Sequence, residues 1–210
     1  MARPKQQVNR RQDLIEAAKI LFAKKGFNKT TMEDVAKYAG ISKGSLYLEF
    51  KNKDEIKLAI IEQNVTKMIE DDKHLVNNAS DDYMGVFAKM CKRDPIEIFD
   101  MILCEEESYV ELFHRSYHTR LKLLHLCDQG TEITSSLLKK AAINNEISPL
   151  DDYHYTANIL DTAMNGFYPP YDLKYSLEHR NDVTKEELRE IFIRDVNYTV
   201  DLLIKGLRNN

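Results

Sequence analysis

Glycine, proline and tryptophan are scarce in this chain of 210 residues, which has seven, five and none of them. β-Sandwiches and β-barrels need frequent turn residues, so this scarcity disfavours both architectures and favours helices. Apolar residues make up 43% of the chain and charged residues 30%, a balance typical of a folded globular protein rather than of a disordered one. The length suffices for one or two domains, each with a hydrophobic core.

Long apolar runs and regularly spaced cysteines are also missing. No stretch approaches the roughly 18 apolar residues of a membrane span, and the basic residues 1–5 are not followed by the apolar segment of a secretory signal. The three cysteines, Cys91, Cys104 and Cys127, lack a zinc-type spacing, and we expect reduced thiols. The sequence therefore predicts a cytoplasmic protein without a membrane partner.

Charge is distributed unevenly along the chain, whose net charge is −4. Residues 1–60 contain 13 lysines and arginines against 7 acidic residues, whereas the remaining 150 residues contain 17 against 27. A basic N-terminal part on an acidic body indicates that the N-terminal part alone binds a polyanion.

Helix signals recur along the whole chain, and no run of alternating apolar and polar residues competes with them. Gly26 and Gly40 are predicted helix stops, Thr30 and Thr31 are both candidate N-caps for the helix between them, and Ser42 is the predicted N-cap of the next one. Asp94-Pro95 is typical of a helix start and predicts a new helix there. The predicted fold class is all-α.

The strongest local signal lies in residues 31–50, where two short helices joined by a glycine-containing turn predict a helix-turn-helix unit. On a helical wheel of the second helix, Leu46 and Phe50 fall together and face inward. The outer arc has Gly44, Ser45 and Leu48 near its centre, with Ser42, Lys43, Tyr47 and Glu49 at its edges. This small outer face permits close approach to a DNA groove, and Gly44 exposes backbone N–H groups to phosphate. A solvated face of a helical bundle is the alternative.

Residues 26–31 and 41–55 closely resemble the DNA-binding domain of TetR-family transcriptional regulators, within a similarity that covers about residues 8–68. The most specific part is Ser42-Lys43-Gly44-x-Leu46-Tyr47-x-x-Phe50-x-x-Lys53. The resemblance implies about nine helices, with a three-helix DNA-binding domain at residues 1–52 and a larger ligand-binding and dimerisation domain at residues 53–210. It also implies a homodimeric, sequence-specific repressor that a small-molecule inducer releases from a palindromic double-stranded operator.

The resemblance also assigns roles to individual residues. The second short helix is expected to enter the major groove, with Tyr47 and Lys53 on phosphates and Thr31 on the DNA backbone. Glu49 stands where the family often has an aromatic residue or histidine, and is expected either to accept from a cytosine amine or to point away. The candidate DNA-binding residues are Thr31, Ser42, Lys43, Gly44, Ser45, Tyr47, Leu48, Glu49 and Lys53.

The C-terminal part carries no comparable motif. Aromatic residues there more often form core, yet several are candidates for lining a ligand cavity: Phe87, Phe99, Phe113, Tyr117, Tyr155 and Phe167. His114, His118 and His125 share one helical stripe, which makes a metal-binding helical bundle an alternative function. A histidine-bearing helix face is the simpler interpretation, so we expect neither a cofactor nor a metal.

Residues 185–207 carry an apolar face wider than a single core contact needs, and residues 151–166 are similar. In the TetR family two such helices from each subunit form the dimer. The candidate interface residues are Ile159, Ala163, Phe192, Val196, Val200 and Leu203. The chain has no nucleophile elbow, phosphate loop or HExxH motif, so an enzyme is not expected. A helical ligand-binding protein without a DNA function is the second hypothesis.

Overall fold

The computed structural model describes residues 10–103, 117–166 and 184–208. Eight helices lie in these ranges: α1 (Arg10–Lys25), α2 (Met32–Tyr38), α3 (Lys43–Glu49), α4 (Lys53–Asn78), α5 (Tyr83–Leu103), α6 (Tyr117–Ile143), α7 (Tyr153–Asn165) and α8 (Lys185–Leu207). The same ranges contain no strand, only an isolated bridge between Ile147 and Arg208. The predicted all-α fold is confirmed. None of the described helices is both long and apolar enough to span a membrane.

The described residues form two compact units, residues 10–65 and the remainder from Thr66 onward. Helix α4 begins in the first unit and ends in the second. Its residues Ile56 and Ala59 are buried in the core formed by α1, α2 and α3. Because these side chains complete that core, the first unit extends beyond the boundary expected after residue 52.

The first unit is a three-helix core built around α1, whose Leu14 and Ala18 are fully buried. Gly26 ends α1 with φ +81°, and Gly40 forms the turn between α2 and α3 with φ +68°. Residues with a side chain rarely adopt these positive φ angles, which explains why glycine ends the helix at both positions. Both predicted helix stops are confirmed. Thr31 is the N-cap of α2, in a reciprocal capping box with Asp34.

The second unit centres on the contact between α5 and α8, where the ring of Phe99 stacks on that of Phe192 with 3.9 Å between centroids. Helix α5 runs without interruption through Pro95, so the predicted helix start at Asp94-Pro95 is wrong. Apolar residues of α5 pack into this core on both sides of the proline, among them Cys91 and Ile96. This burial outweighs the roughly 3 kcal/mol that an internal proline costs a helix.

Candidate nucleic-acid interface

Helix α3 separates buried from exposed residues as its helical wheel predicts. Leu46 and Phe50 are 0% and 1% exposed, whereas Leu48 is 85% exposed and Tyr47 43%. Ser42, Lys43 and Gly44 are exposed as well. The outward direction of this face is confirmed, and a large apolar side chain stands at its centre.

The first turn of α3 is tied together by serines. The Ser42 hydroxyl oxygen accepts from the backbone N–H of Ser45 at 3.1 Å, and the two hydroxyl oxygens are 2.9 Å apart. Ser45 is half-buried, so its hydroxyl supports the N-cap rather than projecting from the centre of the face. A Cβ added at Gly44 would meet nothing within 4 Å in the chain. The open space at Gly44 is therefore available to an approaching partner.

An ion pair links α2 to α3 across the turn. The Lys43 ammonium contacts the Glu33 carboxylate and lies 5.8 Å from the centroid of the Tyr47 ring. The Lys43 side chain is 61% exposed and that of Glu33 54%. Their hydrogen bond lowers the pKa of Glu33 and raises the pKa of Lys43. Both groups are therefore charged at neutral pH.

Lys53, at the start of α4, is occupied within its own chain. Its ammonium donates to the carbonyls of Phe27 at 2.7 Å and Asn28 at 3.4 Å, and lies 4.5 Å from the Phe27 ring centroid. The phosphate contact of Lys53 stays a prediction, and these hydrogen bonds give the residue a second role within the chain. The loop after α1 presents carbonyls without helical partners, and Lys53 satisfies them while anchoring α4.

Two charged residues at this face were not anticipated. Arg11 of α1 donates to the carbonyl of Glu49 at 3.1 Å, and its guanidinium lies 4.2 Å from the Phe50 ring centroid. This contact fixes the C-terminal end of α3, where Glu49 is half-buried. The other residue is Glu33. Arg11 contacts Glu49, and Glu33 contacts Lys43. Each contact joins residues of two different helices, so no i, i+3 or i, i+4 spacing in the sequence predicts it.

Of the aromatic residues predicted to line a ligand cavity, the structure describes the side chains of Phe87, Phe99 and Tyr155, and these three do not share one site. Phe87 and Phe99 are buried, and Phe99 is held in its stack with Phe192. Tyr155 is 65% exposed on the surface of α7, so it does not line an enclosed cavity. The predictions for Phe113, Tyr117 and Phe167 concern side chains outside those the structure describes.

A groove of about 400 Å³ lies instead between α4 and α6 of the second unit. It is lined by Lys73, Val76, Asn77, His125, Asp128, Gln129, Glu132, Ile133 and Ser136. His125 is exposed, and its Nε2 lies 3.3 Å from Nε2 of Gln129. The other two histidines of the predicted stripe, His114 and His118, have side chains outside the described set. Among the described residues, no three histidine, cysteine or acidic side chains are placed to share a metal.

Three predicted dimer residues, Phe192, Val196 and Val200, are fully buried within their own chain. They pack with Phe99 of α5, so they cannot contact a second subunit and that part of the prediction is wrong. Leu203 is half-buried against the same core. Ile159 and Ala163 are exposed, together with the apolar side chains of Tyr155, Tyr198 and Leu202.

The second unit also holds a cluster of charges. Asp72 of α4 and Asp94 of α5 share the guanidinium of Arg93, which donates to Asp94 at 2.6 Å. Glu97 lies 3.8 Å from Arg93, and Asp161 of α7 accepts from two threonines of α6 nearby. Burial and the charge of Asp72 raise the pKa of Asp94 to about 8, although Arg93 opposes them. The pKa of Asp72 is raised by burial as well, so a proton is held at neutral pH by the pair of carboxyl groups rather than by Asp94 alone.

This proton predicts a pH-dependent stability. The folded pKa of about 8 lies above the reference value of 3.8, so the contribution is complete below pH 4 and is lost as the pH rises through 8. We expect the free energy of unfolding to fall by about 1 kcal/mol per pH unit between pH 5 and pH 8 because of the Asp72–Asp94 pair. Denaturant titration of Asp94→Asn should show this slope reduced, with the exposed Asp151→Asn as control. Equal slopes in all three proteins would contradict the assignment.

Comparison with known proteins identifies the same helix-turn-helix segment that the geometry describes. Residues 14–60, which include α1 from Leu14 onward, α2, α3 and the start of α4, match the family described as bacterial regulatory proteins, tetR family. The HTH-type transcriptional regulator YfiR of Bacillus subtilis is 29% identical over 146 residues, which cover 67% of this chain and 69% of YfiR. The negative regulator IcaR of the icaADBC biofilm operon of Staphylococcus epidermidis is 32% identical over 102 residues, 48% of this chain and 49% of IcaR.

Solved structures show the same fold beyond the helix-turn-helix. A transcriptional regulator of Cytophaga hutchinsonii superposes with a TM-score of 0.79 at 19% identity, covering 94% of this chain and 98% of that one. FadR of Bacillus subtilis, solved in complex with stearoyl-CoA, superposes with a TM-score of 0.57 at 17% identity, covering 94% and 99%. The chain is therefore similar to TetR-family transcriptional regulators, in sequence at the helix-turn-helix of residues 14–60 and in fold over the described residues.

Proposed function

We propose that this regulator is a homodimeric repressor that binds a palindromic operator through the outward face of α3. A small-molecule effector in the second unit releases it. The observation that carries the proposal is the exposure of Leu48 on a short helix whose opposite side is entirely buried. Contact with a thymine methyl in the major groove would remove this apolar side chain from water.

The residues around Leu48 divide into base-reading and phosphate-binding groups. The proposed base-reading residues are Ser42, Lys43 and Leu48, and the proposed phosphate contacts are Thr31, Tyr47 and Lys53. Gly44 permits the close approach of the helix. Lys53 donates to carbonyls of its own chain, so its phosphate contact would use its remaining N–H. Ser45 and Glu49 complete the face from half-buried positions, and Arg11 fixes its end.

Dimerisation is proposed through the exposed sides of α7 and α8. Ile159 and Leu202 are 50% and 53% exposed, and the tyrosines Tyr155 and Tyr198 are exposed beside them in their helices. A second copy of the chain would cover these apolar surfaces in a four-helix contact. The two first units of one dimer can then bind half-sites one helical turn, about 34 Å, apart.

Repression and effector release draw their support from relatives. IcaR is named a negative regulator, which favours repression. FadR holds stearoyl-CoA, which favours a small-molecule effector for this fold. Within the second unit, the groove between α4 and α6 is the candidate effector site, since α4 continues from there toward α3 along the chain.

Substitution of Gly44 tests whether α3 approaches DNA closely. Gly44→Ala adds a methyl group that meets nothing in the chain, and alanine favours a helix by about 0.5–1 kcal/mol over glycine. We expect unchanged or slightly higher stability, yet affinity for the operator lower by about 1 kcal/mol or more, because the methyl group enters the contact. The operator here is the duplex that the wild-type protein selects from a random library, and affinity is measured by gel shift.

Gly130→Ala is the matched control, because Gly130 also lies in a helix with nothing within 4 Å of an added Cβ. This variant should be stabilised in the same way without any loss of operator affinity. Equal operator affinity of both variants would contradict a close approach at Gly44. Failure of the wild-type protein to select any duplex would favour a ligand-binding protein without a DNA function.

A further inference from the structure

The ion pair between Glu33 and Lys43 lies on the face proposed to meet DNA. Glu33 is in the first turn of α2, and Lys43 is the first residue of α3. Both side chains are more than half exposed, and the pair keeps both groups charged. A carboxylate that faces a polyanion is unfavourable unless it does something else at the site. Here it restrains a lysine.

We propose that Glu33 is a specificity-determining residue, which holds Lys43 toward base edges and away from phosphates; this rests on the proposed operator-binding role of α3. An ammonium has three N–H donors, and the contact with Glu33 uses one. The other two can donate to O6 and N7 of a guanine in the major groove. Lys43 thereby contacts a base without leaving its partner.

Binding to random DNA meets a penalty in the same arrangement. Non-specific affinity comes from lysines and arginines that reach phosphates and release counterions. Lys43 would have to break its pair with Glu33 to reach a phosphate, and the freed carboxylate would then repel that phosphate. The pair therefore lowers affinity for random sequences more than affinity for the operator.

The test compares Glu33→Gln with Glu16→Gln. Glu16 on α1 pairs with Lys19 at 3.0 Å, so both substitutions remove one paired carboxylate and the same charge from the first unit. Binding of the full-length protein is titrated with salt on the duplex selected by the wild-type protein and on a scrambled duplex. For Glu33→Gln we expect tighter binding to the scrambled duplex and a smaller preference for the selected duplex. The slope of log affinity against log salt concentration should be steeper by about 0.9 for each subunit. For Glu16→Gln we expect the wild-type preference.

A second comparison asks whether Glu33 acts through Lys43. In a Lys43→Met background, Glu33→Gln removes only the repulsion between the carboxylate and DNA phosphates, so it should tighten binding to both duplexes about equally and leave the preference for the selected duplex unchanged. The proposal is overturned if Glu33→Gln behaves like Glu16→Gln, or if it lowers the preference for the selected duplex equally without Lys43. A wild-type protein without preference for any duplex would instead refute the proposed function, and this inference with it.

Discussion

Leu48→Ala is expected to weaken operator binding by about 1–3 kcal/mol, and to leave affinity for a scrambled duplex and thermal stability nearly unchanged. Leu48 is 85% exposed, so the fold loses little when the side chain is shortened. The shortened side chain no longer contacts the thymine methyl that Leu48 is proposed to cover. The affinity therefore falls only for duplexes that carry this thymine. Gel shifts on both duplexes and a thermal melt measure the two quantities.

Leu46→Ala is the matched substitution two residues earlier. Leu46 is 0% exposed in the core of the first unit, and its truncation should cost about 2–5 kcal/mol of stability. Binding to both duplexes should then fall together as the helix-turn-helix unfolds. A Leu48→Ala protein that lost stability, or lost affinity equally for both duplexes, would place Leu48 outside the base-reading face.

Replacement of Ile159 and Leu202 by glutamate is expected to convert the dimer into monomers. Both side chains are exposed in the single chain, so the subunit should remain folded. Burying unpaired carboxylates at the contact costs several kcal/mol, which should raise the dissociation constant of the dimer by about 100-fold or more. Operator affinity should fall strongly as well, because a monomer has only one first unit and therefore half of the DNA contacts. Sedimentation and circular dichroism separate loss of assembly from loss of fold.

Val196→Glu is the comparison on the opposite side of α8. Val196 is fully buried in the subunit core, and a charge there should unfold the second unit rather than dissociate a folded dimer into folded monomers. An Ile159→Glu, Leu202→Glu protein that stayed dimeric would contradict the proposed interface on α7 and α8.

Local patterns in the sequence predicted most of the first unit. The wheel of α3 placed Leu46 inward and Leu48 outward correctly, because a single helix carries the whole pattern. Gly26, Thr31 and Gly40 act at their own positions, so their caps and turns could also be recognised from neighbouring residues. The family match at residues 14–60 covers this same part of the chain.

Contacts between distant residues could not be predicted in this way. The apolar width of α8 is a local property, but whether α5 or a second subunit covers it depends on residues about a hundred positions earlier, such as Phe99. Val196 was therefore assigned to the wrong contact. The hydrogen bond from Arg11 to Glu49 and that from Lys53 to Phe27 likewise join separate helices, and no spacing rule reveals them.

Protection of a thiol at position 48 tests most directly whether the outward face of α3 contacts the operator. In a Leu48→Cys protein the new thiol should be accessible to alkylation, and the exposed Cys127 of the second unit is the internal reference. Saturation with the selected duplex should slow alkylation at position 48 at least about tenfold and leave Cys127 unchanged, as measured by peptide mass spectrometry. An unchanged alkylation rate at position 48 in the DNA complex would contradict the proposal that this face reads the operator.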